Sequence, residues 1–252
     1  MKILEQSAQR IFGERSEFYT TSLVHKDPQV LARVIELAAP QANWLALDVA
    51  TGAGHTAFAL APYVNDVVCV DITLEMLAEA DKLAHERAIA NTRFCLGDVH
   101  ALPFGEGVFH VVTCRRAAHH FADVRRALRE MKRVLRGGGR LVIDDRSVPD
   151  DDFVDACMNE MDRLHDESHV REYRIGEWRR MLESSGFTVD LIEPYVKHLP
   201  LTSLTNNASS KNAQKIGEII SNLNDDQMKA LNVVKKDSQI YLNQWYVMLS
   251  AH

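Results

Sequence analysis

Residues 47–55 read LDVATGAGH, an apolar run that ends in a turn with two glycines, Gly52 and Gly54. Glycine permits a tight turn, and the first N–H groups of a following helix can bind an acceptor. The stretch departs from the GxGxxG dinucleotide pattern, because alanine stands at Ala50, two residues before Gly52, and at Ala57, three residues after Gly54. Since any strand-to-helix turn can use glycines, this turn needs support from the rest of the sequence before it indicates a ligand site.

Apolar runs alternate with helical patterns around this turn. Continuous apolar strands separated by helices are typical of a parallel sheet that is covered on both faces, with right-handed crossovers. The predicted strands are Trp44–Val49, Val67–Val70, Thr92–Leu96, Val108–Cys114 and Arg140–Asp144, and the predicted helices between them are Gly54–Val64, Leu74–Ala90 and Val124–Leu135. The predicted fold class is therefore α/β, with a doubly wound, Rossmann-like sheet.

The pattern changes after the fifth predicted strand. Asp150–Leu164 and Ile175–Ser184 have helical spacing, and Phe187–Ile192 is strand-like. Residues 203–235 are polar and helix-prone, and Ile240–Leu249 predicts a last strand. We expect this last strand to join the edge of the sheet in antiparallel orientation.

Composition excludes several classes of protein. The chain has 252 residues, 29 Lys and Arg against 35 Asp and Glu, and a net charge of −6, which argues against non-specific nucleic-acid binding. No run approaches the ~20 apolar residues of a membrane span, and the first residues have no apolar signal region, so we expect a cytoplasmic protein. The four cysteines are far apart and form no CxxC pair, so we expect reduced, structural thiols.

Two acidic residues follow the second and third predicted strands. Asp71 comes about twenty residues after the glycine turn, where a carboxylate can accept hydrogen bonds from both hydroxyls of a ribose. The alternative for Asp71 is a helix N-cap for the segment from Leu74. Asp98 leaves the third strand at the same carboxyl edge, where it could accept a hydrogen bond from an adenine amine. Together with the glycine turn, these residues predict one adenosine-binding crevice.

The run from Leu47 to Asp145 resembles the class I S-adenosylmethionine-dependent methyltransferases, in particular the small-molecule branch that includes the ubiquinone and menaquinone biosynthesis type. The segments that carry the resemblance are DVATGAG, VDITLEML, GDVHALPF, FHVVTCRRAAHHFAD and MKRVLRGGGRLVIDD. It extends over residues 40–150, and more loosely to residue 190. The resemblance implies S-adenosylmethionine (AdoMet) as cofactor, S-adenosylhomocysteine as product, and a seven-stranded sheet whose last strand is antiparallel.

The resemblance also implies a role for individual residues. The implied cofactor-binding residues are Asp48, Ala50, Thr51, Gly52 and Gly54 for the methionine portion, Asp71 for the ribose, Ile72 and Met76 against the sugar and adenine, Gly97, Asp98 and Val99 for the adenine, and Arg115 near the sulfonium. A surface salt bridge is the alternative for Arg115. Ala50 replaces the usual first glycine, which is tolerated if its φ is negative, and His110 replaces a usual Asp.

His119 and His120 follow the fourth strand and are the candidate catalytic residues. An imidazole has the right unperturbed pKa to deprotonate a phenol or a hydroxyl near neutrality. The alternative is that one of the two histidines packs against the sheet and caps the helix that begins near Asp123. We expect His120 rather than His119 to face the crevice.

Candidate lid residues lie outside the central run. His169 and Arg171, in DRLHDESHVREYR, would line the substrate cavity or pair with the acids at 150–152, and a solvated helix face is the alternative. His165 and His169 are four residues apart, but no third ligand is evident, so we expect no metal site. Tyr19 and His25 belong to a segment that would fold over the cofactor.

We expect one domain, with an N-terminal helical flap at 1–40, an AdoMet-binding core at 41–150, and lid helices and final strands at 151–252. The leading hypothesis is a methyltransferase that acts on a small molecule and binds neither nucleic acid nor a membrane, and a homodimer is compatible with it. The alternatives are an enzyme of this fold that carries out elimination, dehalogenation or cyclisation, and a non-catalytic AdoMet-binding partner protein.

Overall fold

The computed structural model describes residues 9–13 and 26–252. The strands of the described residues are β1 (Leu45–Val49), β2 (Asp66–Asp71), β3 (Thr92–Leu96), β4 (Phe109–Arg115), β5 (Leu135–Val148), β6 (Tyr173–Arg174), β7 (Val189–Pro200), β8 (Val234–Lys236) and β9 (Gln239–Ala251). The helices are α1 (Pro28–Ala38), α2 (His55–Leu60), α3 (Leu74–Glu86), α4 (Val124–Val134), α5 (Asp152–His165), α6 (Ile175–Ser184), α7 (Thr202–Thr205), α8 (Ser210–Ser221) and α9 (Asp225–Ala230). Residues 9–13 are also helical.

The strands form one sheet in the order β3-β2-β1-β4-β5-β9-β7. The first five strands are parallel, and β9 is antiparallel to both of its neighbours, β5 and β7. The predicted doubly wound sheet with a last antiparallel strand is confirmed. Two short strands extend it beyond the predicted seven, since β6 pairs with β5 and β8 pairs with β9.

Helices cover both faces of the sheet, as continuous apolar strands require. Apolar side chains of α4 and α6 bury one face, and those of α1 and α2 bury the other. The residues at 28–38, predicted as part of a flap, therefore form a covering helix of the sheet. Asp27 caps this helix, because its carboxylate accepts hydrogen bonds from the backbone N–H groups of Gln29 and Val30.

The C-terminal third builds a further apolar cluster beside the sheet. Met158 and Met161 of α5 pack with Ile216 and Ile220 of α8 and with Leu242 of β9. The cluster fixes α5, and the segment that follows α5 reaches back towards the carboxyl ends of the parallel strands. Within the described part of the chain, no helix combines the length and the apolar character needed to cross a bilayer.

Candidate active site

A pocket of about 1050 Å³, counting the space open to solvent, lies at the carboxyl edge of the parallel strands. This is the edge at which open α/β sheets bind ligands. Predicted residues that line the pocket are Asp48, Ala50, Thr51, Gly52, Asp71, Ile72, Met76, Gly97, Asp98, Val99, Arg115 and His120. The ends of β1, β2 and β3 therefore converge on one site, as the sequence predicts.

Three residues of the turn after β1 have a backbone in the left-handed region, with positive φ. Gly52 has a φ of +54°, and a Cβ there would lie 3.1 Å from the Cε atom of Met76 in the pocket wall. Gly54 has a φ of +82°, and a Cβ there would lie 2.5 Å from the Phe58 ring, so Gly54 supports the turn from behind. The condition for tolerating alanine at position 50, a negative φ, is not met, because the φ of Ala50 is +52°. The turn itself requires this conformation, which costs alanine about 1–2 kcal/mol.

Asp48 holds the turn to the neighbouring strand. Its carboxylate accepts hydrogen bonds from the hydroxyls of Thr51 (2.6 Å) and Thr113 (2.7 Å). Burial raises the pKa of Asp48 to about 6, although these hydrogen bonds favour the charged form. Asp48 thus ties the glycine turn to β4.

Asp71 supports the same turn from β2. Its carboxylate accepts hydrogen bonds from the backbone N–H groups of Gly52 and Thr73, each at 2.9 Å. Each carboxylate oxygen has a second lone pair, so both retain capacity for a ligand hydroxyl. Thr73, and not Asp71, is the N-cap of α3. Burial raises the pKa of Asp71.

Asp98 occupies the corresponding position after β3. Its Oδ1 atom accepts one hydrogen bond from the backbone N–H of His100 (2.9 Å). The same oxygen also contacts the ring Nδ1 atom of His100 (2.7 Å). Both contacts use one carboxylate oxygen. The carboxylate is thereby fixed at the pocket wall, where its other oxygen can accept a hydrogen bond.

Two arginines lie at the pocket where β4 ends, Arg115 as its last residue and Arg116 directly after it. Arg115 lines the pocket, where it donates a hydrogen bond from Nε to the Thr56 hydroxyl (2.9 Å), and burial lowers its pKa. Arg116 donates to Asp144 (2.8 Å) and to the Tyr195 hydroxyl (2.9 Å). Its guanidinium lies 3.8 Å from the centre of the Tyr246 ring. Sequence reasoning missed Arg116. The available signal is that an arginine directly after β4 lies beside the acidic residue Asp144 of the neighbouring strand β5.

His119 and His120 have different surroundings. The Nδ1 atom of His119 contacts the Asp145 carboxylate, and burial holds the pKa of His119 well below its usual value. Among the described residues that line the pocket, His120 is present and His119 is not. The structure therefore places His119 in the wall behind His120.

The predicted lid residues lie outside the pocket that the described residues form. His169 is buried, with its Nε2 atom 3.1 Å from the Asn159 side-chain oxygen. Arg171 pairs with Asp155 and Glu177. The acids at 150 and 152 pair instead with Arg174. Tyr19 and His25 lie outside the described residues.

Comparisons with known proteins agree with this geometry. A methyltransferase domain family matches residues 47–143. The methyltransferase YcgJ of Bacillus subtilis is 39% identical over 190 residues, which are 75% of this chain and 74% of that protein. The chain belongs to the class I methyltransferases. It is thus an enzyme of the methyltransferase type.

Other methyltransferases are similar over different lengths. A crystal structure assigned to the methyltransferases, from Bacillus halodurans C-125, has a TM-score of 0.84 and 31% identity, and covers 88% of this chain and 97% of that chain. Demethylmenaquinone methyltransferase of Thermus thermophilus is 42% identical over 114 residues, 44% of this chain and 51% of that enzyme. The similarity to the menaquinone type therefore lies in the half of that enzyme that the alignment spans.

The pocket of this methyltransferase has the chemistry that an adenosyl ligand requires. Gly52 leaves a space in the wall that a Cβ would fill, so a ligand can lie against the backbone. Asp71 and Asp98 supply fixed acceptors at the ends of neighbouring strands. No group of three or more metal-ligating side chains occurs among the residues that the structure describes.

Phe12 is another pocket-lining residue that sequence reasoning missed. Its ring lines the pocket from the described N-terminal segment at 9–13. No local pattern distinguishes this phenylalanine from Phe18, which the structure does not describe. The methyltransferase thus covers part of its pocket with a segment distant in sequence from the sheet.

Proposed function

We propose that this methyltransferase binds AdoMet in the pocket and transfers its methyl group to a small-molecule acceptor. The observation that carries the proposal is the convergence of Gly52, Asp71 and Asp98 on one pocket. Glycine backbone and two carboxylates match the methionine, ribose and adenine portions of such a ligand.

The chain's own residues have separable roles in this proposal. Asp71 accepts hydrogen bonds from the ribose hydroxyls through its remaining lone pairs, and Asp98 accepts one from the adenine amine. Met76 packs against the ligand beside Gly52. Bound AdoMet supplies an electrophilic methyl group on a positively charged sulfur.

His120 is the proposed catalytic base for an acceptor that carries a proton. The side chain lines the pocket, whereas His119 lies behind it. A neutral imidazole can take the proton of a hydroxyl or a phenol as the acceptor attacks. Phe12 covers this part of the pocket and excludes water from the reacting groups.

The test is transfer of a labelled methyl group. The full chain is incubated with methyl-labelled AdoMet and a fractionated small-molecule extract, and the label is followed into new compounds. We expect protein-dependent transfer of the label. Consumption of an extract compound without movement of the label would instead indicate elimination, dehalogenation or cyclisation, and absence of S-adenosylhomocysteine binding by calorimetry would contradict the entire proposal.

The catalytic part is tested separately with His120→Ala. Once an acceptor fraction is identified, the variant should lower the transfer rate by about 100- to 10,000-fold, while S-adenosylhomocysteine affinity changes little. If the rate changes by no more than a few-fold, His120 is not the base. Transfer would then depend on positioning alone, as expected for an ionised acceptor or a nucleophilic carbon or sulfur.

A further inference from the structure

The segment that follows α5 meets His120 through a buried serine. The Oγ atom of Ser168 lies 3.0 Å from the Nδ1 atom of His120. Ser168 is only 1% exposed, and its hydroxyl lies 2.7 Å from the Oδ1 atom of Asp166. The three side chains therefore form a chain of polar contacts from Asp166 to the pocket residue His120.

Backbone hydrogen bonds hold this arrangement in place. The N–H of Ser168 donates to the same Asp166 oxygen at 2.8 Å, so two bonds fix the serine on the carboxylate. The N–H groups of Val170 and Arg171 both donate to the carbonyl oxygen of His119, at 2.8 and 3.1 Å. The segment is thus attached to the His119–His120 turn by two backbone bonds that follow Ser168 in the chain, in addition to the side-chain contact.

The direction of the hydrogen bonds follows from the donor inventory. An ionised carboxylate only accepts, so the single hydroxyl hydrogen of Ser168 is donated to Asp166. The Ser168 oxygen can then only accept from the ring of His120, and this requires a hydrogen on Nδ1. A neutral imidazole carries one ring hydrogen, so its Nε2 atom becomes an acceptor.

We infer that Ser168, oriented by Asp166, is a positioning residue that keeps Nδ1 of His120 protonated and leaves Nε2 as the proton acceptor of the pocket. The catalytic use of this acceptor rests on the proposed function, whereas the tautomer does not depend on it. A histidine base must present an unprotonated nitrogen, and the hydrogen bond at the other nitrogen decides which one that is. The buried segment thereby sets the state of a pocket residue that it reaches from outside the pocket.

The tautomer is measured directly by nuclear magnetic resonance. The full chain is labelled with ¹⁵N-histidine, and the ring nitrogens are observed without ligand at a pH at which His120 is neutral. The ¹⁵N shift shows which nitrogen carries the hydrogen, and His120→Gln assigns the signals among the 11 histidines of the chain. We expect the Nδ1–H form of His120 to dominate, and dominance of Nε2–H would overturn the inference.

Three variants test the role of the serine. Ser168→Ala should lower the ratio of Nδ1–H to Nε2–H by about tenfold, the change that one lost hydrogen bond of ordinary strength produces. Ser168→Thr keeps the hydroxyl and should keep the ratio. Ser185→Ala removes another buried serine hydroxyl and should leave the ratio unchanged. A folded Ser168→Ala protein with the wild-type ratio would contradict the inference.

Asp166→Ala provides a second test that does not depend on the stability of Ser168→Ala. Alanine offers no acceptor to the Ser168 hydroxyl, so the hydroxyl is free to donate its hydrogen to Nδ1 of His120. We expect the Nε2–H form to increase, and an unchanged tautomer in the folded variant would overturn the inference. Because no AdoMet is present, these results are independent of the labelled-methyl experiment, so failure of the proposed function and failure of this inference remain distinguishable.

Discussion

The Phe12 ring meets the His120 ring edge-on, with 5.0 Å between the ring centroids. Close by, the side-chain amide of Gln9 donates a hydrogen bond to the Ile72 carbonyl oxygen at 3.0 Å, and Arg10 pairs with Glu167 at 3.5 Å. The segment at 9–13 therefore spans from the proposed cofactor side of the pocket to its proposed catalytic side. Within this described segment, Phe12 is the residue that lines the pocket.

We predict that Phe12→Ala weakens S-adenosylhomocysteine binding by about tenfold. Loss of the ring removes apolar surface that covers the pocket, and partial loss of a phenylalanine contact corresponds to about 1.4 kcal/mol. Calorimetry measures the affinity, with Phe12→Leu as a variant that retains most of the apolar cover. Val108→Ala, at a 37% exposed residue away from the pocket, is the control. Equal affinity in Phe12→Ala and wild type would show that Phe12 does not cover the ligand.

Asp71→Ala should weaken S-adenosylhomocysteine binding by about 1–3 kcal/mol, because the ligand hydroxyls lose their acceptor in a buried site. The matched control is Asp66→Ala, at the other end of β2, where the carboxylate pairs with Arg93 at 3.1 Å. Calorimetry on both variants shows whether binding depends on the pocket carboxylate of Asp71 in particular, or is weakened by removing either acidic residue of β2. The prediction fails if the two variants bind equally well.

The central sheet is predictable because its signals are local. Each strand is a short apolar run between helical patterns, and the order of parallel strands follows from their crossovers. The convergence of Asp71 and Asp98 is predictable for the same reason, since parallel strands end at one edge. The family resemblance then predicts which ligand binds at this edge, namely AdoMet.

The residues that sequence reasoning missed or misplaced depend on contacts that are distant along the chain. Arg116 is explained by Tyr195 and Asp144 on other strands, and Phe12 by His120. Nothing in the sequence near Ser168 indicates that it meets His120. The left-handed conformation of Ala50 has no signal in the sequence, because alanine rarely adopts it.

Ala50→Gly should raise the free energy of unfolding by about 0.5–1 kcal/mol. Glycine removes the cost of a left-handed alanine, about 1–2 kcal/mol, and its greater freedom in the unfolded chain offsets part of that gain. Urea unfolding without ligand measures the change. The control is Ala46→Gly, at a fully buried residue of the extended strand β1, which should destabilise the protein. A destabilised Ala50→Gly protein would mean that contacts of the Ala50 methyl group outweigh the backbone cost.

His169 should make the stability of the protein fall in mild acid. Burial lowers the pKa of His169 from 6.5 to about 3, so the folded protein keeps this side chain neutral while the unfolded chain protonates it below about pH 6.5. Between pH 6.5 and 3 the unfolded state binds more protons, and the free energy of unfolding therefore falls as the pH falls. The contribution of one such histidine between pH 7 and pH 5 is about 2 kcal/mol.

His169→Gln isolates this contribution, because glutamine can still donate to the Asn159 side-chain oxygen but does not titrate. The variant should lose about 2 kcal/mol less stability than wild type between pH 7 and pH 5, measured by urea unfolding at both pH values. His119, whose pKa is also lowered by burial, acts in the same direction in both proteins. The same loss of stability in His169→Gln and wild type would mean that His169 is protonated in the folded protein, or exposed to water, at pH 5.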